Sequence, residues 1–263
     1  MRWYTGDPVY DTALAGAFAL VPLTVLGLRF LHAPYGRFAG RARWALGPRL
    51  GWFSMELPAT LVFWVAFLAG PRRGAPVPLL LAGLWTFHYL NRGLLFPLRM
   101  RVPAGQRGTF GLSVVASGWV VTSLHGYLHG AFFAGLGAHL TPAWLSDPRF
   151  VGGLAVYAAG FALNAHSDAI LRALRRPEEV ARGERVYRIP RGGGFRWVSN
   201  PSYLGELVLW GGFALATWSL AGVFIFAISA ANLVPRALAT HRWYRARFPD
   251  YPPERRALVP YLL

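Results

Sequence analysis

The stretch NAHSDAILRALRR, residues 164–176, sets an amide, a carboxylate and a run of guanidinium groups between two long apolar segments. Asn164 and Asp168 are four residues apart, and Arg172 and Arg175 continue on roughly the same side of a helix, so one polar face is expected among greasy neighbours. The chain then leaves the helix through Arg175, Arg176 and Pro177. It crosses an arginine-rich loop containing Arg188, Arg191 and Gly192 to Gly194, and re-enters apolar sequence at Asn200-Pro201. Asn200 as N-cap and Pro201 at the first helical position begin a new helix, with Glu206 one turn inside it. Together these residues look like the floor of an anion site inside an otherwise apolar protein.

Composition says what kind of protein surrounds that floor. Of the 263 residues, 54% are hydrophobic and only 14% charged, with a mean hydropathy of +0.34, too apolar for an ordinary soluble domain. All 27 basic residues are arginine and the net charge is +16. The arginines crowd into the gaps between apolar runs, as in cytoplasmic loops of membrane proteins, which argues for a lipid setting and against nucleic acid as partner. Cysteine is absent, excluding disulfides, thiolate metal sites and cysteine nucleophiles. The first apolar run follows Asp7 without a basic leader or a cleavage site, and reads as a retained span.

A helix needs about 20 mostly apolar residues to cross a bilayer. Such runs lie at 9–31, 51–70, 76–97, 108–130, 150–172, 201–218 and 220–244. The segments rich in arginine hold Arg37, Arg41, Arg43 and Arg49; Arg99, Arg101 and Arg107; Arg175, Arg188 and Arg196; and the residues beyond Trp243. Alternate gaps hold Arg72 with Arg73, Arg149 alone, and none. The pattern predicts an all-α integral membrane protein of seven transmembrane helices, N-terminus outside and C-terminus cytoplasmic. No linker divides residues 1–263.

Several polar residues interrupt the runs. Glu56 falls inside the second, and a carboxylate there is costly unless it is paired, neutral or facing a wet cavity, so it is a candidate for chemistry as well as for an interhelical hydrogen bond. Pro58 breaks the local ladder nearby. Tyr89, in the cluster His88-Tyr89-Leu90-Asn91-Arg92, is an interfacial anchor if taken alone; hydrogen-bonded to Glu56, its phenol would serve a carbonyl oxygen on which negative charge develops. His125 and His129 share the spacing of a metal pair but lack an obvious third ligand, so no metal is expected. Gly192 to Gly194 lack the preceding strand of a dinucleotide fingerprint. Asn232, Arg236 and Tyr244 lie on one side of the last run at its cytoplasmic end, suited to lipid head groups or to phosphate. Guanidinium groups grip phosphate bidentately, whereas Asp168 and Glu206 would prefer sugar hydroxyls or a carboxamide.

At this point the sequence resembles the steroid 5α-reductase family, in the motifs Glu56-Leu57-Pro58, His88-Tyr89 with Arg92, and Asn164 to Arg172. The likeness continues through Tyr187-Arg188-Ile189-Pro190, Tyr203-Leu204-Gly205-Glu206, His241-Arg242-Trp243-Tyr244, Phe248 to Pro252 and Arg256 to Pro260. The resemblance implies a seven-helix membrane enzyme that uses NADPH to reduce the Δ4 double bond of 3-oxo-steroids, with residues 1–107 as the substrate and catalytic half and 150–263 as the NADPH-binding half. Glu56 and Tyr89 match the catalytic pair. Asn164, Asp168, Arg175, Tyr187, Arg188, Glu206, Arg236, Tyr244 and Arg255 match nucleotide-binding positions, joined by Trp52, Arg92, Ser202 and His241. Three positions depart from the pattern: Ser202 stands where mammalian members have asparagine, Thr240 replaces a histidine, and Met55 replaces a glutamine. The expected partners are a steroid or similar apolar enone and membrane lipid, and the expected site is a bacterial inner membrane. The alternatives are a reductase of another enone, enoyl-CoA or sterol lipid, and a non-enzymatic lipid-binding or transport protein, which would not bind NADPH.

Overall fold

The computed structural model describes residues 1, 4–30, 38, 44–103, 110–184 and 186–263. Arg37, Arg41, Arg43 and Arg107, counted above as loop charges, lie outside them, as do Leu31 and residues 108–109 at the edges of two apolar runs. Helices cover every apolar run: α1 Pro8–Phe30, α2 Pro48–Ala69, α3 Pro76–Tyr89 with α4 Phe96–Arg99, α5 Leu112–Ala131, α6 Pro148–Ala173, α8 Pro201–Thr217 and α9 Leu220–Arg247. A short α7, Pro177–Ala181, lies in the arginine-rich loop, where no helix was expected. Two-residue strands β1, Ala45–Leu46, and β2, Phe110–Gly111, pair antiparallel.

Proline punctuates this architecture. α1, α2, α3, α6, α7 and α8 each open on one, at the position where the missing N–H costs nothing and the fixed φ is already helical. Asp147 caps α6 by accepting from the Arg149 amide at 2.9 Å, and Ser219 caps α9 by accepting from Gly222 at 3.0 Å. Asn200 does stand before α8, but its side chain makes no capping bond. Its amide donates instead to the carbonyls of Ala237 at 3.1 Å and Ala257 at 2.9 Å, tying the C-terminal segment to α9. Long-range backbone acceptors outcompeted the local cap.

Two helix pairs approach backbone to backbone. On α6, Gly153 and Gly160 face Gly212 and Gly205 of antiparallel α8. A Cβ added at Gly160 would stand 2.7 Å from the Gly205 carbonyl, and one at Gly205 2.7 Å from that of Gly160. Gly126 of α5 likewise sits against the backbone of α2 at Ala59 and Phe63. Small residues at such seams let helices pack closely where lipid removes the hydrophobic drive between them. Between the pairs lies an aromatic core of Phe63, Phe67, Trp85, Phe133, Trp210 and Phe213, and α1 joins α5 and α9 through Tyr10, Leu14, Leu128 and Phe224.

The outer surface is apolar as well. Leu57, Leu61, Val65 and Leu68, all exposed, follow one face of α2, and Phe87, Trp119, Val151 and Val156 are exposed on α3, α5 and α6. Apolar faces on several helices suit hydrocarbon rather than water. α2, α9 and the Pro8–Leu28 part of α1 are long and apolar enough to cross a membrane by length and composition. α8, with 17 residues, rises about 26 Å.

Candidate functional site

A cavity of about 1040 Å³ lies between the two glycine-packed pairs, walled by α2, α3, α5, α6, α8 and α9. Glu56 reaches it from α2. Two residues on, Pro58 cannot donate to the Ser54 carbonyl as a helical amide would; the Trp119 indole does so instead, at 2.7 Å, and Thr122 bonds the next carbonyl, Met55, at 3.1 Å. The break in the ladder is therefore satisfied from α5 while the helix continues. The Glu56 carboxylate has no hydrogen-bond partner among the described residues and opens on the cavity.

Tyr89 is the last residue of α3. The helix then widens into a π-turn, Leu90–Leu95, a one-residue expansion that recurs at functional sites. The expansion carries Arg92 into the cavity, where it pairs with Glu206 of α8 at 3.2 Å and lies 4.5 Å over the Trp52 ring. Trp52 in turn donates its indole N–H to the Arg92 carbonyl at 3.1 Å. Gly93 makes room beside Glu56, since a Cβ there would stand 3.3 Å from that of Glu56. Trp52, Arg92 and Glu206 thus tie α2, the π-turn and α8 into one corner.

The opposite wall is the face read from the sequence. Asn164, Asp168 and Arg172 of α6 line the cavity, and Arg175, expected on the same helical face, lines it from the bend just past the end of α6 at Ala173. Asn164 donates to the Ser202 carbonyl at 2.8 Å, directly beside the Gly160–Gly205 contact. Arg175 and Arg101 each donate to the other's carbonyl, closing one end. Asn232 and Arg236 enter from α9, with the Arg236 Nε donating to the Tyr203 hydroxyl at 3.0 Å, and Tyr187 comes from the loop.

Of the fifteen residues matched above to catalytic or nucleotide-binding positions, eleven share this cavity: Trp52, Glu56, Tyr89, Arg92, Asn164, Asp168, Arg175, Tyr187, Ser202, Glu206 and Arg236. Four do not line it. Arg188 clasps Glu179 and donates to the Leu174 carbonyl at 2.6 Å, and its guanidinium holds the Glu179 carboxyl down to about 2. His241 meets the Ser199 hydroxyl at 2.6 Å, and Ser199 meets Tyr251 at 2.6 Å. Tyr244 stacks on Tyr251, ring centres 5.3 Å apart. Arg255 is 5% exposed, its guanidinium 5.3 Å from the Tyr251 ring, and its Nε and Nη1 have no hydrogen-bond partner among the described residues.

One pairing differs from expectation. The Tyr89 hydroxyl meets not Glu56 but His125, Oη to Nε2, at 2.9 Å. The two histidines of α5 make different bonds, His129 turning Nδ1 back to the His125 carbonyl at 2.7 Å. Both belong to the list of polar residues inside apolar runs, and pairing that list with itself is the signal by which His125 could have been found.

Comparison with known proteins matches residues 109–263 to the family model described as 3-oxo-5-alpha-steroid 4-dehydrogenase. The chain is 37% identical over 254 residues to 3-oxo-5-alpha-steroid 4-dehydrogenase 1 of Rattus norvegicus, covering 95% of this chain and 93% of that one. It is 37% identical over 251 residues to the steroid 5-alpha-reductase DET2 of Arabidopsis thaliana, covering 93% of each chain. With 3-oxo-5-alpha-steroid 4-dehydrogenase 2 of Sus scrofa it shares 37% over 256 residues, 95% of this chain and 96% of that one.

Proposed function

The chain belongs to the 3-oxo-5-alpha-steroid 4-dehydrogenase family, and from that membership we propose that it is a membrane-embedded, NADPH-dependent reductase that saturates the Δ4 double bond of 3-oxo-Δ4-steroids. The observation that carries this reading is one cavity with two chemically distinct walls: an acid and a phenol on α2 and α3, and an amide, carboxylates and guanidinium groups on α6, α8 and α9. At about 1040 Å³ it stands at the upper end of small-molecule sites, as a cavity shared by cofactor and substrate would.

The second wall fits a dinucleotide. Arg172, Arg175 and Arg236 offer forked donors for phosphates, while Asp168, Glu206 and Asn164 offer acceptors and a donor for ribose hydroxyls and a carboxamide. Outside the cavity lining, buried Arg255, whose Nε and Nη1 have no hydrogen-bond partner among the described residues, is a further cation in need of an acceptor. In this reading Trp52, Arg92, Tyr187, Arg188, Ser202, His241 and Tyr244 complete or brace the cofactor side, with residues 150–263 as its main source and 1–107 supplying the catalytic pair. NADPH, when bound, supplies a hydride to C5 of the steroid.

The chain's own part is electrostatic. Glu56 in its neutral form and Tyr89 donate hydrogen bonds to the 3-oxo oxygen, the atom on which negative charge collects as C5 is reduced. The resulting enolate takes, at C4, a proton that derives from solvent. Trp210 and Met55, which also line the cavity, exclude water and hold the flat substrate in line. The same proposal includes seven spans, N-terminus outside and C-terminus cytoplasmic, in a bacterial inner membrane, supported by the alternation of arginine-rich and arginine-poor segments between the apolar runs.

The test is consumption of NADPH by the purified protein, followed by absorbance against a panel of enones and enoyl thioesters. Consumption with a 3-oxo-Δ4-steroid, yielding a product reduced across C4–C5, is expected. Consumption only with another enone would shift the substrate class, and the absence of NADPH binding would overturn the reading.

A further inference from the structure

We propose that His125 is a positioning residue for the reaction: its Nε2–H donates to the Tyr89 oxygen, so that the phenolic hydrogen is left to point into the cavity. The inference rests on the reading of Tyr89 as the donor to the substrate oxygen, and adds what aims that donor.

Tyr89 brings one hydrogen to the contact, and a neutral imidazole brings one N–H and one lone pair. Two arrangements satisfy a 2.9 Å bond between Oη and Nε2. In the first, Tyr89 donates to a bare Nε2. The ring proton then sits on Nδ1, which is buried with no hydrogen-bond partner among the described residues, and Tyr89 faces the cavity as an acceptor with nothing left to donate. In the second, Nε2–H donates to Tyr89. Nδ1 is then a bare lone pair, and the phenol keeps its hydrogen for the cavity.

The neighbouring histidine supplies the comparison. His129 turns Nδ1 to the His125 carbonyl at 2.7 Å, and a carbonyl oxygen only accepts, so His129 carries its proton on Nδ1. Its Nε2 is then a buried lone pair with no partner among the described residues. The interior of α5 thus already holds one bare imidazole nitrogen. Orphaned buried N–H groups are rarer in proteins than under-satisfied acceptors. His125 does not turn Nδ1 to a carbonyl one turn back as His129 does, so nothing recommends a proton there. Two histidines four residues apart therefore carry opposite tautomers, and only the His125 tautomer frees the Tyr89 hydrogen.

The packing holds this arrangement in place. His125 is 6% exposed. Gly126, beside it, lets α5 lie on the backbone of α2, which brings the imidazole within reach of α3. Trp85, one turn before Tyr89, contacts both rings, edge-on to His125 at 5.6 Å and tilted over Tyr89 at 4.8 Å, and is itself anchored by its indole bond to Ala59 at 3.0 Å.

The experiment compares His125→Phe, which keeps the bulk and removes the donor, with His125→Gln, whose amide restores one. Both are assayed with a 3-oxo-Δ4-steroid and NADPH, alone and combined with Tyr89→Phe, and histidine tautomers are read by carbon-13 NMR of the full chain in lipid nanodiscs. His125→Phe is expected to lower kcat about tenfold, the worth of one net hydrogen bond, with the KM for NADPH unchanged. His125→Gln recovers most of the loss, and His125→Phe adds nothing once Tyr89 is phenylalanine. The NMR spectrum shows His125 as the Nε2–H form and His129 as the Nδ1–H form. Full activity of His125→Phe beside an impaired Tyr89→Phe overturns this inference alone, as does an Nδ1–H signal for His125, which needs no variant to fold. Full activity of Tyr89→Phe overturns the reading of Tyr89 itself, and this inference with it.

Discussion

A carboxylic acid inside a greasy helix is conspicuous because its surroundings offer it so little, and Glu56 faces a cavity without a hydrogen-bond partner among the described residues. If it and Tyr89 stabilise charge on a substrate oxygen, removing either donor acts on the chemical step. Glu56→Leu and Tyr89→Phe are each expected to lower kcat by about 10²–10³, measured as NADPH oxidation at saturating cofactor, with cofactor affinity nearly unchanged. The opposite split is expected at Arg92, which joins Glu206 at 3.2 Å and rests on Trp52. Arg92→Met leaves the Glu206 charge without that partner and removes a stacked plane, so the Kd for NADPH rises about tenfold and the thermal midpoint falls. Residues of this kind were legible in the sequence because charge in an apolar run needs a reason. The partner of Tyr89 was not, since which two helices touch, 36 positions apart for Tyr89 and His125, is decided by packing that no local pattern records.

At the scale of elements, prolines and apolar runs marked most helix positions, because each acts within a few residues. The seam between α6 and α8 went unread, although Gly153 with Gly160 and Gly205 with Gly212 repeat at seven residues in two runs. Their role appears only when the helices meet. Gly205→Ala puts a methyl against the Asn164 backbone and is expected to cost about 1–3 kcal/mol. It also displaces Asn164 and weakens NADPH binding. Gly152→Ala, one residue off the seam with nothing within 4 Å, leaves both unchanged; thermal unfolding with and without cofactor separates the two variants. The loop after α6 makes its own prediction. The Arg188 guanidinium holds the Glu179 carboxyl at about 2 against an ordinary 4.5. A carboxyl with a depressed folded value contributes stability that is fully present above pH 4.5 and is lost as pH falls toward 2. Arg188→Met is therefore expected to lower the thermal midpoint at pH 6 and to flatten its decline between pH 4.5 and 2.

For the whole molecule, the distribution of arginines implies an orientation that labelling from one side of the membrane reads directly. The absence of cysteine makes the test clean, because one introduced thiol is the only one present. In sealed cells a membrane-impermeant maleimide is expected to label Gly74→Cys, in the turn between α2 and α3, and to label Glu178→Cys in α7 only after the cells are opened. The reverse pattern would invert the proposed topology. The helical character of each apolar run was legible from its length; the cavity was not, since it is the space left where two closely seamed helix pairs are held apart by aromatic side chains.

The widened turn after Tyr89 also works as a ruler. Each residue of an α-helix advances the chain by about 100°, so deleting any one position between Leu90 and Leu95 would restore ordinary winding and swing Arg92 or its successors away from Glu206. Apart from Arg92 and Gly93, length more than side-chain identity is what that hexapeptide must keep. Any sequence aligned to this one with a gap there has lost the corner that Trp52, Arg92 and Glu206 build.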